Sequence, residues 1–207
     1  MFSHGRFGPI EWAAVRRPRP GEAVCGDHPV ALEIDDGAAL FGVIDGLGHG
    51  EAAAAAAQRA AEVVAERRSE PLDVVMQRCH HELIQTRGVA MTLARVDFET
   101  DALSWIGIGN VAADLVAKHP TGVEVRSSAL LAGGIVGYRM PQTLSTSQLS
   151  ISPGDLLVMS SDGIAEHHLD SIDFAAQATT IAEQLVGEYG RETDDALVLA
   201  ARHRGIS

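Results

Sequence analysis

Short apolar runs separated by turn residues dominate the chain, and only three stretches carry helical spacing. Residues 9–17 read as a first strand that stops at a Pro-rich turn, Pro18-Arg19-Pro20-Gly21. Residues 30–34 and 38–44 flank Asp35-Asp36-Gly37, a hairpin turn, so Asp27 and Asp45 are expected at one end of that hairpin. Residues 49–68 form an alanine-rich helix, and Pro71 opens the next, where a first-turn proline is tolerated. Leu72, Val75, Met76, Cys79 and Leu83 fall on one apolar stripe of that second helix, which predicts an antiparallel helix pair lying on a sheet. From residue 89 the period changes. Runs at 89–97, 102–108, 111–118 and 123–128, with turns at Glu99-Thr100-Asp101 and His119-Pro120-Thr121-Gly122, predict antiparallel strands. Gly133, Gly134 and Gly137 mark a small mobile loop near the site, expected to pack on substrate. Residues 144–150 and 155–160 read as a further hairpin around Ser152-Pro153-Gly154. Residues 172–189 read as a third helix, capped by Ser171 or Asp173 and ended by Gly190, and 196–201 as a strand that closes the sheet. With no repeat and no linker, this order predicts an antiparallel α+β fold in one domain, 1–207.

One pattern inside these elements carries chemistry. The apolar run 38–44 stops at Asp45, followed by glycines at 46, 48 and 50. The run 155–161 again ends in Asp-Gly, Asp162-Gly163. Thr193-Asp194-Asp195 leads into the last strand, and Gly26-Asp27 precedes the second. A carboxylate at the end of a core strand is costly to bury without a partner. A single Asp-Gly reads equally well as a capped strand-to-helix turn. Four such sites far apart in sequence suggest one shared acidic cluster. Carboxylates without His or Cys companions favour hard cations such as Mg²⁺ or Mn²⁺ over Zn²⁺.

Composition narrows the options. The formal net charge of -12 makes nucleic acid and anionic membranes poor partners. No signal-peptide core and no apolar run of membrane-spanning length is present. Cys25 and Cys79 have neither ligand spacing nor a disulfide framework, so reduced thiols and a cytoplasmic location are expected. His80 and His81 are adjacent and face different ways, so they are not a metal pair; His167 and His168, just after Asp162-Gly163, are read as surface residues in preference to hydrogen-bond donors to a substrate phosphate. Asn110, in a tight turn after Gly109, is read as structural.

The ordered set Gly26-Asp27, Asp45-Gly46-Leu47-Gly48-His49-Gly50, Gly154-Asp155 with Ser161-Asp162-Gly163, and Asp194-Asp195 resembles the metal-dependent protein phosphatases. Thr86-Arg87-Gly88-Val89-Ala90 and Gly107-Ile108-Gly109-Asn110-Val111 are similar to the minimal bacterial branch, the SpoIIE-type and stressosome RsbX-type serine/threonine phosphatases. The resemblance implies a sandwich of two antiparallel sheets with helices on both outer faces. It implies that Asp45 bridges two Mn²⁺ or Mg²⁺ ions, that Gly46 offers its carbonyl, and that Asp162 and Asp194 complete the second position. Asp27 would act at a cation directly or one layer out, and Asp195 would turn outward or support the ligands. A water activated by both cations would attack phosphorus in line. Larger relatives hold the phosphate with an Arg shortly before the first acidic pair. Here Arg19 is nearest and Arg17 further back, in a register that does not match cleanly. The substrate implied is a phosphorylated STAS-domain signalling protein. The alternatives are a non-catalytic binding module on the same fold and a hydrolase of small phosphoesters.

Overall fold

The strands that read as unbroken apolar runs are those covered on both sides. β4 (Ala38–Gly46) and β12 (Ala196–His203) are buried along almost their whole length, and each sits inside a sheet rather than at its edge. In a computed structural model, which describes residues 1–205, the remaining elements arrange around these two. Ile206 and Ser207, the end of the expected 1–207 domain, lie outside the described residues.

One sheet contains β1 (Phe2–Phe7), β2 (Ile10–Arg17), β12, β11 (Leu156–Ser160), β7 (Ala112–His119) and β8 (Gly122–Ser128), in that spatial order. The other runs β10 (Ser147–Ser150), β6 (Ala102–Ile108), β5 (Val89–Asp97), β4 and β3 (Asp27–Ile34). A two-residue strand, β9 (Leu131–Ala132), lies parallel to β6. Between the sheets sits an apolar layer with Phe41, Val43, Trp105, Leu115, Met159 and Leu199 at its centre. Each such side chain contributes on the order of 1.5–3 kcal/mol by leaving water. Helices α1 (Glu51–Glu66) and α2 (Leu72–Glu82) cover the outer face of the β4 sheet with Ala56, Ala60, Val75, Met76 and Cys79. Helix α3 (Ala178–Tyr189) covers the outer face of the β12 sheet with Ile181, Ala182 and Leu185. The expected sandwich with helices outside both sheets is therefore observed. Among the described residues no helix is long and apolar enough to cross a membrane.

Several expectations are corrected. Phe2–Phe7 is an additional edge strand, paired with β2 from Phe2↔Val15 to Phe7↔Ile10. Residues 144–150 and 155–160 are not a hairpin: β10 pairs with β6, whereas β11 lies between β12 and β7 in the opposite sheet. Asp155 holds that crossover by accepting the Ser152 N–H at 2.8 Å and pairing with Arg126, so it has no part in the acidic site. β6 and β7 likewise belong to different sheets despite their short link. Gly109 (φ +97) makes the crossing there, where a Cβ would lie 2.5 Å from the Ala90 Cβ. β12 is central rather than a closing edge. Helix α3 starts at Ala178, not 172, because the preceding segment has other partners. The Asp173 carboxylate accepts the Ala175 N–H, and Arg202 donates to the Phe174 and Ala176 carbonyls. The glycine loop is anchored at Val136, which exchanges two backbone hydrogen bonds of 2.9 Å with Val89.

Candidate active site

The hairpin register sets Asp27 directly opposite Asp45. Two glycines then bring the other carboxylates close. A Cβ on Gly46 would lie 2.1 Å from the Ala53 carbonyl oxygen, and one on Gly163 only 1.7 Å from that of Asp195. In each Asp-Gly pair the Asp supplies charge, and the Gly lets α1 or the start of β12 pack against the backbone behind it. Ser161 joins the two sheets: its hydroxyl donates to Asp27 Oδ2 at 2.6 Å and accepts the Leu197 N–H at 3.0 Å. Asp195 does not turn outward. It is buried and accepts the backbone N–H groups of Arg19 at 2.8 Å and Gly26 at 3.0 Å, fixing both loops against the site.

The result is a hollow of about 230 Å³ with Asp45, Asp162, Asp194, Asn110, His49 and Arg19 on its walls. Asp27 lies behind it, 1% exposed. A larger hollow of about 420 Å³, beside Met1, Arg16 and His28, contains none of these carboxylates. Burial, followed by repulsion from Asp195, Asp162 and Asp194, pushes Asp27 up to about 7, against the Ser161 hydrogen bond. Burial, then the charge of Asp27 and the other acids, pushes Asp45 up to about 9. Asp162 is raised by burial and by Asp194, with Arg191 opposing. Without a cation, burial and mutual repulsion thus favour the protonated form of Asp45.

This electrostatic strain is the test of whether cations fit. The donors on the walls are carboxylate oxygens, a set suited to hard divalent ions. Among the described residues no three acidic or imidazole side chains are already closed into a ligand cage. The carboxylates line a common hollow in which positive charge would offset their mutual repulsion. Asp45, Asp162 and Asp194 are thus brought together as expected, with Asp27 immediately behind and Gly46 next to Asp45. Arg19 also reaches the wall of the hollow despite its irregular register.

Two neighbours escaped the sequence reading. Asn110 Nδ2 donates to Asp162 Oδ2 at 2.6 Å. Its place after a glycine turn suggested structure alone, and only the sheet-to-sheet crossing brings it to Asp162. Arg87 lies across Gly48, with Nη1 2.9 Å from where a Cβ at that glycine would stand. The histidines of the two pairs stay out of the cluster: His80 Nδ1 accepts the Gly137 N–H, and His167 is exposed. Burial pushes both cysteine thiols up to about 12, so neither is a ready nucleophile.

A family profile described as stage II sporulation protein E (SpoIIE) matches residues 35–204. The chain belongs to the SpoIIE family. The match starts beyond Asp27, so the placing of that carboxylate in this SpoIIE-family site rests on geometry. The phosphoserine phosphatase RsbX of Bacillus subtilis (strain 168) is 25% identical over 146 residues, 70% of either chain. A structure solved in work on the bacterial stressosome, a modular system adapted to control secondary messenger signaling, is 31% identical. It superposes with a TM-score of 0.83 over 93% of this chain and 99% of its own. RsbX crystallised with magnesium matches with a TM-score of 0.81 and 22% identity over 98% of this chain and 99% of that one. This SpoIIE-family chain is accordingly a metal-dependent-type protein phosphatase of the RsbX/SpoIIE branch.

Proposed function

We propose that this serine/threonine phosphatase removes phosphate from phosphoserine or phosphothreonine on a folded signalling protein of the STAS-domain type, in the cytoplasm. The observation that carries the reading is the convergence of Asp45, Asp162 and Asp194 on one hollow, with Asp27 directly behind it opposite Asp45. Asp45, Asp162, Asp194 and the Gly46 carbonyl would hold two Mn²⁺ or Mg²⁺ ions, with Asp27 supporting them. When bound, such ions supply Lewis-acid activation and a water acidic enough to attack a phosphoester.

The chain's own residues perform the rest. Asn110 fixes one oxygen of Asp162 and so sets which lone pairs face the hollow. Ser161 does the same for Asp27. Arg19 on one wall and Arg87 across Gly48 offer planar donor groups to phosphate oxygens, which an otherwise acidic hollow would repel. No side-chain nucleophile is required, and both thiols are buried.

The test is phosphate release from a STAS-domain protein carrying one phosphoserine, with Mn²⁺ and with excess chelator. Metal-dependent release supports the reading. Release from small aryl or nucleotide esters alone would move a small-phosphoester hydrolase to first place, and no release from any ester would leave a binding module.

A further inference from the structure

Large apolar side chains are held out in water on two adjoining segments, the end of α2 and the loop that packs on it. Ile84, at the end of α2, is 60% exposed, and Leu130 and Tyr138, on the segment between β8 and β10, are 84% and 80% exposed. Leu131, on the same segment, is also exposed. The backbone beneath them is fixed. Leu131 and Ala132 pair with Gly107 and Ile108. Val136 is bridged to Val89, and the Gly137 N–H donates to His80 Nδ1 at 2.9 Å. A Cβ on Gly137 would stand 2.7 Å from the Leu83 Cβ, so the loop and the end of α2 form one continuous ridge. With the backbone already ordered, binding here costs only side-chain rotamer freedom, which favours the use of these side chains in recognition.

The ridge is tied to the wall of the hollow at two points, through the backbone at Gly109 and through Arg87, which lies beside Gly48. The Ala132 carbonyl accepts the Gly109 N–H at 2.9 Å, one residue before Asn110, whose amide reaches Asp162. Charge points to the same side. A phosphoprotein that approaches a chain of net charge -12 is repelled overall. Arg87 and Arg139 are both exposed on or beside the ridge and offset that repulsion locally.

We infer that the ridge of Ile84, Leu130, Leu131 and Tyr138, flanked by Arg87 and Arg139, is the docking surface for the folded phosphoprotein substrate, which presents an apolar patch next to its phosphorylated residue. The inference rests on the phosphatase reading and names how that site chooses its substrate. A shallow hollow has few contacts of its own, so binding energy from the ridge positions the phosphoryl group.

The test compares the wild type with the double variant Leu130→Ser/Tyr138→Ser under one Mn²⁺ concentration. The substrates are p-nitrophenyl phosphate, a STAS-domain protein with a single phosphoserine, and the short phosphopeptide cut from it. The expected result is a fall in kcat/KM of at least about tenfold on the phosphoprotein, mostly in KM, with little change on the aryl ester or the peptide. Melting curves check that the variant remains folded. Equal losses on all three substrates, or no loss on the phosphoprotein, would overturn the docking surface. A wild-type enzyme with no Mn²⁺-dependent activity on any of them would instead overturn the phosphatase reading beneath it.

Discussion

Replacing Asp45 by Asn separates a site carboxylate from a structural cap, because the two roles predict opposite changes in stability. Asn keeps the shape of the side chain and can still donate to Asp162, but it carries no charge. In the folded, metal-free protein the Asp45 carboxyl is pushed up to about 9 by burial and then by the neighbouring carboxylates, against 3.8 for a free side chain. The folded state therefore binds more protons than the unfolded state between about pH 4 and pH 9, and stability falls as pH rises through that window. Below about pH 4 Asp45 is protonated in both states and contributes nothing. Each pKa unit corresponds to about 1.4 kcal/mol. Recovery of one to two units by Asp45→Asn gives a gain of about 1.5–3 kcal/mol at pH 8, or about 3–12 °C in Tm for a chain of this size. The assay is thermal unfolding of wild type and variant in chelator from pH 4 to pH 9, with turnover measured separately in Mn²⁺. The Tm difference should be near zero at pH 4 and grow towards pH 9, while turnover falls by at least about a hundredfold. A variant that is destabilised equally at every pH, with its folded fraction still active, would refute the reasoning and make Asp45 a turn-capping residue.

Gly163→Ala places a Cβ 1.7 Å from the Asp195 carbonyl and should cost about 3 kcal/mol in denaturant unfolding, with loss of activity as Asp162 moves. Gly187→Ala, in the last turn of α3 with no atom within 4 Å of its Cβ, should instead stabilise by about 0.5 kcal/mol in the same measurement. Arg19→Ala should weaken inhibition by inorganic phosphate about tenfold and raise KM more than it lowers kcat, with Arg19→Lys intermediate; an unchanged inhibition constant would remove Arg19 from phosphate binding.

The parts of the molecule legible in the sequence are those where one local signal decides. The turn Asp35-Asp36-Gly37 fixes the β3–β4 register, and that register alone sets Asp27 against Asp45. β5 and β6 have the ends that their runs predict because turn residues bound both. The errors arise where partners distant in sequence decide. Phe2–Phe7 alternates poorly and is a strand because β2 supplies its hydrogen bonds. Ser152-Pro153-Gly154 is a competent hairpin turn, yet the chain changes sheets there: Ile151 donates to the Asp101 carbonyl, and Asp155 is engaged by Arg126. The late start of α3 follows from Arg202, on a strand that comes afterwards. The same limit applies to the site. An Asp at a strand end followed by Gly announces itself, whereas Asn110 and Arg87 acquire their places only when the two sheets and the end of α2 meet.

The central claim is that the four carboxylates exist to hold cations for phosphoester hydrolysis. It is tested most directly by titrating Mn²⁺ into chelator-stripped protein in a calorimeter while phosphate release from a phosphoserine protein is followed on matched samples. Turnover should be absent in chelator and appear as two ions per chain bind, with the fold retained throughout, and Asp45→Asn should abolish both the tight binding and the turnover. Full turnover in excess chelator, or Mn²⁺ binding that Asp45→Asn leaves unchanged, would contradict it.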